Sequence, residues 1–306
     1  MTGPRIIELP RFLDPRGNLA VIEECRELPF KIERCHWIYD VPGGGDREGH
    51  AYHSNEELIV ALSGSFDVIT RYPDREERVT LNRSYLGLYV PRLTWREITN
   101  FSTNAVVLVL SSRPYADEEY ILDYKKYLAL REKAEKECTD DYECAATHKE
   151  DASERDDVLP GLPRKTVYDC SVIELDRHPS ERLGNLSVIQ SEETLPFDVK
   201  RVFFIYDVPG GESRGGHAHR AVKEFIVAAA GSFCITLDDG RDRRTVMLNR
   251  PYMGLLVEPG VWLTLHDFSS GAIALVATSD HFHHSDHIKD YPTFLSLKKD
   301  ETLQSD

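Results

Sequence analysis

The chain is written twice. A shift of 167 positions carries Ile38–Gly44 (IYDVPGG) onto Ile205–Gly211 (IYDVPGG). The same shift pairs Gly49-His50-Ala51 with Gly216-His217-Ala218, Gly64-Ser65-Phe66 with Gly231-Ser232-Phe233, and Leu81-Asn82-Arg83 with Leu248-Asn249-Arg250. Trp95 falls on Trp262, and Gly17-Asn18-Leu19 on Gly184-Asn185-Leu186. One offset serves throughout, so no net insertion separates the copies. Whatever one half folds into, the other must fold into as well. The 306 residues are enough for two ordinary domains.

Within each copy the signals are those of strands. Leu58–Leu62, Ser65–Thr70, Arg78–Leu81, Leu86–Val90 and Val106–Leu110 are short β-type runs, many bounded by Gly, Pro, Asn or Asp. Copy two repeats them at Glu224–Ala228, Phe233–Leu237, Thr245–Leu248, Gly254–Val257 and Ile273–Ala277. This spacing predicts an all-β, jelly-roll barrel per copy with room for a ligand. Tyr115–Lys136 has helical periodicity and His284–Leu297 is its shorter counterpart, so a C-terminal helical segment is expected after each barrel. The expected units are a first domain over 1–136, an acidic linker over 137–164 ending in LPGLP, and a second domain over 165–306.

The formal charge of −15 argues against nucleic acid or an anionic membrane surface as a partner, since both need clustered Lys and Arg. The N-terminus lacks the apolar core of a signal peptide, and no run approaches membrane-spanning length. The six cysteines show no CxxC or framework spacing and read as reduced thiols. A cytoplasmic protein is expected.

The chemistry concentrates in copy two at Gly210–Gly231, GGESRGGHAHRAVKEFIVAAAG. In a strand, His217 and His219 project to one face, whereas helical spacing would set them about 200° apart. An apolar run follows, so the pair reads as functional rather than as a solvated turn. Imidazole is the one side chain that titrates near neutrality unperturbed, which suits proton transfer at carbon. Glu224 opens the buried strand, either to orient an imidazole or to form a salt bridge at the barrel rim. The run His281–His287 invites a metal reading through His283 and His287, but a solvated helix start is preferred.

The pattern Gly211-x5-His217-x-His219-x4-Glu224-x6-Gly231 resembles the first motif of the cupins, a jelly-roll superfamily. In metal cupins a further histidine from a later strand completes the ligand set. That position falls on Leu263 here and on Arg96 in copy one, so no metal and no cofactor are expected. A closer resemblance runs through Asp14–Glu24, Leu28–Gly44, Ala61–Val68, Arg214–Arg220, Leu248–Val257 and His266–Ser270. These phrases are similar to the WxcM-like cupins, the sugar-nucleotide 3,4-ketoisomerases. The resemblance implies a dTDP-linked 4-keto-6-deoxyhexose as substrate, paired catalytic histidines at His217 and His219, and barrels that exchange N-terminal strands. Here that exchange becomes an intramolecular pseudo-dimer of the two copies, with further homodimerisation left open.

Each copy departs from the pattern. Tyr52 stands in copy one where copy two has His219, so His50, Tyr52, Arg47 and Arg96 make a degenerate site. Copy two loses the arginine before its early glycine, with Glu181-Arg182-Leu183-Gly184 standing for Asp14-Pro15-Arg16-Gly17. The losses are complementary. If the arm Arg11–Glu23 packs on copy two, Arg16 joins His217 and His219 in one live composite site. Arg16, Arg214 and Arg250 are the candidates to bind the pyrophosphate, and Trp262 either walls the pocket or fills core. The competing account is a non-catalytic or metal-dependent bicupin that binds a sugar or sugar nucleotide.

Overall fold

The computed structural model describes residues 3–137, 161–180, 182–190 and 193–303. Most of the expected linker, with Cys138 and Cys144, lies outside them. Four antiparallel sheets, two of seven strands and two of five, make up the fold. In copy one the large sheet runs Arg5–Glu8, Leu86–Val90, Glu57–Ser63, Val106–Ser111 and Arg34–Tyr39. It packs on the small sheet Tyr120–Ile121, Arg47–Tyr52, Trp95–Thr99, Phe66–Arg71 and Glu76–Leu81. Between these sheets lies an apolar barrel interior that includes Ile38, Ile59, Phe66, Val68, Leu88, Ile98 and Val107. Copy two has the same sheets and its own interior around Ile205, Ile226, Ile235, Leu255, Leu263 and Val276.

The large sheets are each completed by the other copy. Asn18–Glu23 pairs antiparallel with Arg201–Tyr206, from Asn18 opposite Tyr206 to Glu23 opposite Arg201. Asn185–Gln190 pairs in the same way with Arg34–Tyr39. Those central strands are therefore covered on both faces, which is why Arg34–Tyr39 and Arg201–Tyr206 are buried at every position. Alternation sends Ile38 into its own barrel and Trp37 and Tyr39 into a second core shared between the copies. That shared core also takes Ile22, Leu58, Leu108, Phe204, Phe225 and Leu275. Trp37 is wholly buried there, and its Nε1–H donates to the Pro251 carbonyl 2.9 Å away in copy two. Gly17 ends the arm's turn at φ +122°, where a Cβ would meet the Val208 Cγ2 at 2.6 Å. Only glycine lets the arm lie this close.

The helical expectation needs correction. The first helix runs from Tyr124 to Glu137, not from Tyr115, and is started by Asp123, whose Oδ1 accepts the Lys125 and Lys126 N–H groups. Ahead of it Tyr120–Ile121 forms a two-residue strand on the edge of Arg47–Tyr52. In copy two the helix is Tyr291–Leu303, and the matching edge strand is His287–Ile288. No described helix is long and apolar enough to cross a membrane.

Candidate active site

Arg214–His219 is an edge-proximal strand of copy two's small sheet, and a bulge bends it before the histidines. Its register against Trp262–His266 shifts between Gly215, opposite Thr264, and His217, opposite Leu263. Gly215 and Gly216 both take positive φ there (+76° and +68°), conformations that residues with a Cβ resist. The extra residue brings Arg214 onto the face that carries His217 and His219. Edge strand His287–Ile288 closes the other side, with His287 opposite His219.

Three imidazoles consequently meet. The His287 ring centroid lies 4.4 Å from that of His217 and 5.0 Å from that of His219, and His217 and His219 are 5.0 Å apart. Behind them Glu224, 3% exposed, brings its two carboxylate oxygens to 3.4 Å from His217 Nε2 and 3.3 Å from His219 Nε2. Asp286 holds His219 from the far side, Oδ2 to Nδ1 at 2.6 Å, and its other oxygen accepts the Ala221 N–H at 2.7 Å. Burial alone would lower the His219 pKa, but the Glu224 charge and the Asp286 hydrogen bond outweigh it and raise it to about 9. Burial, then the neighbouring His217 and His219 charges, lowers His287 to about 3, so that ring is neutral. Glu224 is held well below the usual carboxylate range by the two rings it faces, against the effect of its burial.

His287 and Asp286 were missed by the sequence reading, which took this run as the start of a solvated helix. The repeat carries the signal that finds them: the shift that relates the copies lays Tyr120 on His287. Leu263, where the cupin resemblance lacks its later histidine, is buried and directly opposite His217. It was the ground for expecting no metal, and His287 removes that ground. The nitrogens of His217, His219 and His287 lie within 4.8 Å of one another, and neither ring nitrogen of His287 has a hydrogen-bond partner. With Glu224 they form a donor set that fits a divalent ion preferring imidazole.

The arm from copy one reaches this strand. Asp14 pairs with the Arg214 guanidinium at 3.0 Å and with its own neighbour Arg16 at 2.8 Å. Arg16 is 57% exposed and touches the site only at one remove, through Asp14. Arg214 is the better placed: its side chain is 12% exposed, and its buried Nε has no partner. Arg250 is not brought to the cluster. It sits exposed in a turn, where its carbonyl accepts the Met253 N–H. Trp262 alternates with the inward Leu263 and so faces the other way, packing on Tyr291 and Phe294 of the final helix. It is core rather than pocket wall.

Copy one repeats the scaffold with other chemistry. His50 Nε2 lies 3.0 Å from the Tyr52 hydroxyl, which donates to Glu57 at 3.0 Å. Arg96, opposite His50, takes the other Glu57 oxygen with Nε and Nη2 at 2.9 and 2.8 Å. Tyr120 stands where copy two has His287, its ring 4.7 Å from Tyr52. Copy two offers three imidazoles around one carboxylate; at the matching positions copy one offers one imidazole, two phenols and a buried ion pair.

Two like barrels of paired antiparallel sheets, with a His-x-His strand and a glutamate converging inside one of them, define the chain as a bicupin. It belongs to the family described as FdtA, WxcM-like C-terminal, whose profile matches residues 2–132 and again 168–299. A TDP-4-oxo-6-deoxy-α-D-glucose-3,4-oxoisomerase of Aneurinibacillus thermoaerophilus is 40% identical over 111 residues, which is 36% of this chain and 80% of that protein. Among solved structures, the WlaRB TDP-quinovose 3,4-ketoisomerase of Campylobacter jejuni is 36% identical, covering 42% of this chain and 99% of that one, with a TM-score of 0.41. A 3,4-ketoisomerase of Helicobacter canadensis is 34% identical over 43% of this chain and 98% of that one, with a TM-score of 0.42.

Proposed function

We propose that the chain is an isomerase that interconverts a TDP-linked 4-keto-6-deoxyhexose and its 3-keto isomer, and that copy two does the chemistry. The observation that carries this reading is the trio His217, His219 and His287 around Glu224, in a member of a family whose named relatives are 3,4-ketoisomerases. Domains over 1–136 and 165–306, joined by 137–164, form the intramolecular counterpart of a strand-exchanged dimer. The pairing of Asn18–Glu23 with Arg201–Tyr206 supports it. Acidity and the absence of a spanning helix among the described residues agree with a cytoplasmic enzyme.

In the reaction, deprotonated His219 takes the proton from C3. The C3–H electrons form the C3=C4 bond of an enediolate, and the negative charge moves to the C4 oxygen. His217 protonates that oxygen and takes the proton of the C3 hydroxyl. As the C3=O bond forms, the double-bond electrons take a proton from His219, exchanged with solvent while the enediol is bound, onto C4. Atoms and charge balance, and no electron carrier is used. Asp286 holds His219 in one tautomer through Nδ1, as buried carboxylates orient imidazoles elsewhere, which leaves Nε2, beside Glu224, as the nitrogen that takes and returns the proton. His287, neutral at working pH, serves as a hydrogen-bond partner for the two oxygens. An ion held by the three histidines and Glu224 would add Lewis-acid polarisation of the ketone. Arg214, with Arg16 behind Asp14, meets the pyrophosphate.

Copy one lacks the second imidazole, and Arg96 engages its glutamate, so it does not turn over. Incubation with dTDP-4-keto-6-deoxyglucose in deuterated buffer tests the assignment. The 3-keto product should carry deuterium at C4. A substrate pool that neither isomerises nor exchanges would favour a binding protein instead.

A further inference from the structure

We propose that the cavity over copy one is a second, non-catalytic binding site for a diphosphate-bearing ligand. The cavity holds about 810 Å³ and is framed by both copies, with Arg34, His36, Arg47 and Tyr120 from one and Leu186, Val188 and Gln190 among those from the other. That is the size of a pocket for a molecule as large as a nucleotide.

Its floor carries two guanidiniums, Arg34 and Arg47, that hydrogen-bond no carboxylate among the described residues. Arg34 is 5% exposed and Arg96 also 5%, while Arg47 is partly buried. Glu57 is the carboxylate among these three guanidiniums, and Arg96 occupies it through two hydrogen bonds. Arg34 makes only neutral contacts, to the Tyr120 hydroxyl at 3.2 Å and the Ser111 hydroxyl at 3.3 Å. Arg47 donates to the Leu183 carbonyl at 3.0 Å. Among the described side chains Arg34 and Arg47 therefore have only neutral hydrogen-bond partners, and buried charge without a partner is costly.

Two orphaned atoms make the same point independently. Arg34 Nε and His36 Nδ1 are buried without a hydrogen-bond partner, on side chains more than nine-tenths buried. Burial and the three arginines hold His36 well below its usual pKa, and burial with Arg96 lowers Arg47 to about 10. Burial is the first cause of both shifts, and the neighbouring guanidiniums add to it. The acids of the lining, Glu174, Asp176 and Glu193, are exposed at the rim, where exposed His178 also lies. A diphosphate therefore belongs on the floor, with an uncharged sugar or base toward the rim. There Tyr115 and Tyr120 offer ring faces, and the acids accept hydrogen bonds from hydroxyls. Copy one would thus hold a diphosphate ligand without the imidazole pair needed to transform it.

Calorimetry on the full chain with dTDP, and separately with inorganic pyrophosphate, tests this. Two equivalents of dTDP per chain are expected, and the Arg34→Gln/Arg47→Gln double variant should bind one, weakened tenfold or more at the lost site. Pyrophosphate that displaces both equivalents places the recognition in the diphosphate; dTDP binding that pyrophosphate does not displace overturns that class. Should the double variant unfold, Tyr115→Glu alters an exposed wall residue (55%) and is expected to weaken the same isotherm about tenfold. One equivalent in the wild type, or an isotherm indifferent to Tyr115→Glu, overturns the second site. Failure of the isomerase assignment looks different, because His219→Asn then leaves turnover intact while both dTDP equivalents persist.

Discussion

Replacing Asp286 by Asn keeps the shape at His219 and removes a charge. The Asp286 Oδ2 to His219 Nδ1 contact, 2.6 Å and buried at both ends, is a charge-assisted hydrogen bond, a class worth about 1.5–3 kcal/mol. At about 1.36 kcal/mol per pKa unit, its loss lowers the His219 pKa by about 1–2 units. His219 starts at about 9 and acts as the base, so only its deprotonated fraction works. In the wild type kcat/KM should rise with pH up to a limb near 9. In Asp286→Asn that limb should move to lower pH by the same one to two units, with a lower plateau because the weaker base abstracts carbon-bound protons more slowly. The assay is the rate of deuterium incorporation from buffered D2O between pH 6 and 10. A merely structural role for Asp286 would change rate or stability without moving the limb. A limb that stays in place would refute the claim that Asp286 sets the basicity of His219.

The same raised pKa makes stability depend on pH. His219 titrates at about 9 when folded against an ordinary value of 6.5, so its contribution is complete below pH 6.5 and is lost as pH rises through 9. The loss is about 3 kcal/mol, readable in urea unfolding at pH 6 and pH 9.5 and diminished in Asp286→Asn. Arg16→Ala should raise KM severalfold while Arg182→Ala leaves it alone; equal effects would mean that the arm of copy one does not serve copy two. Gly17→Ala, forced against Val208 at a positive φ, costs about 1–3 kcal/mol and should lower turnover with stability, as a thermal melt beside the activity assay will show. Dialysis against EDTA should leave isomerisation unchanged, because the proton transfers run through His217 and His219 without an ion. Activity lost on dialysis and restored by metal would transfer the chemistry to the ion.

What could be read from the sequence was what repeats or alternates. The offset between the copies exposed the duplication, and the two-residue period put His217 and His219 on one face. Arg214 joined them for a reason the period cannot supply, since it lies three positions before His217 and only the bulge at Gly215-Gly216 restores the face. His287 escaped because a two-residue edge strand has no period to detect, and its histidine-rich surroundings resemble a helix start. Alignment of Tyr120 with His287 was the available clue. The arm was read for Arg16, yet Asp14 makes the direct contact, because pairing between charges on different strands depends on register that neither segment encodes alone. For Trp262 the sequence leaves pocket wall and core both open, and for Arg250 it offers only a candidacy, because an aromatic or a turn arginine near a motif says nothing about which way it faces.

The division of labour between the copies can be measured with two substitutions in D2O. His219→Asn should abolish deuterium entry into the sugar ring, and His50→Asn, the same kind of change in copy one, should leave it at the wild-type rate. If His50→Asn silences the chain while His219→Asn does not, the chemistry belongs to the first barrel and the account of the second is wrong.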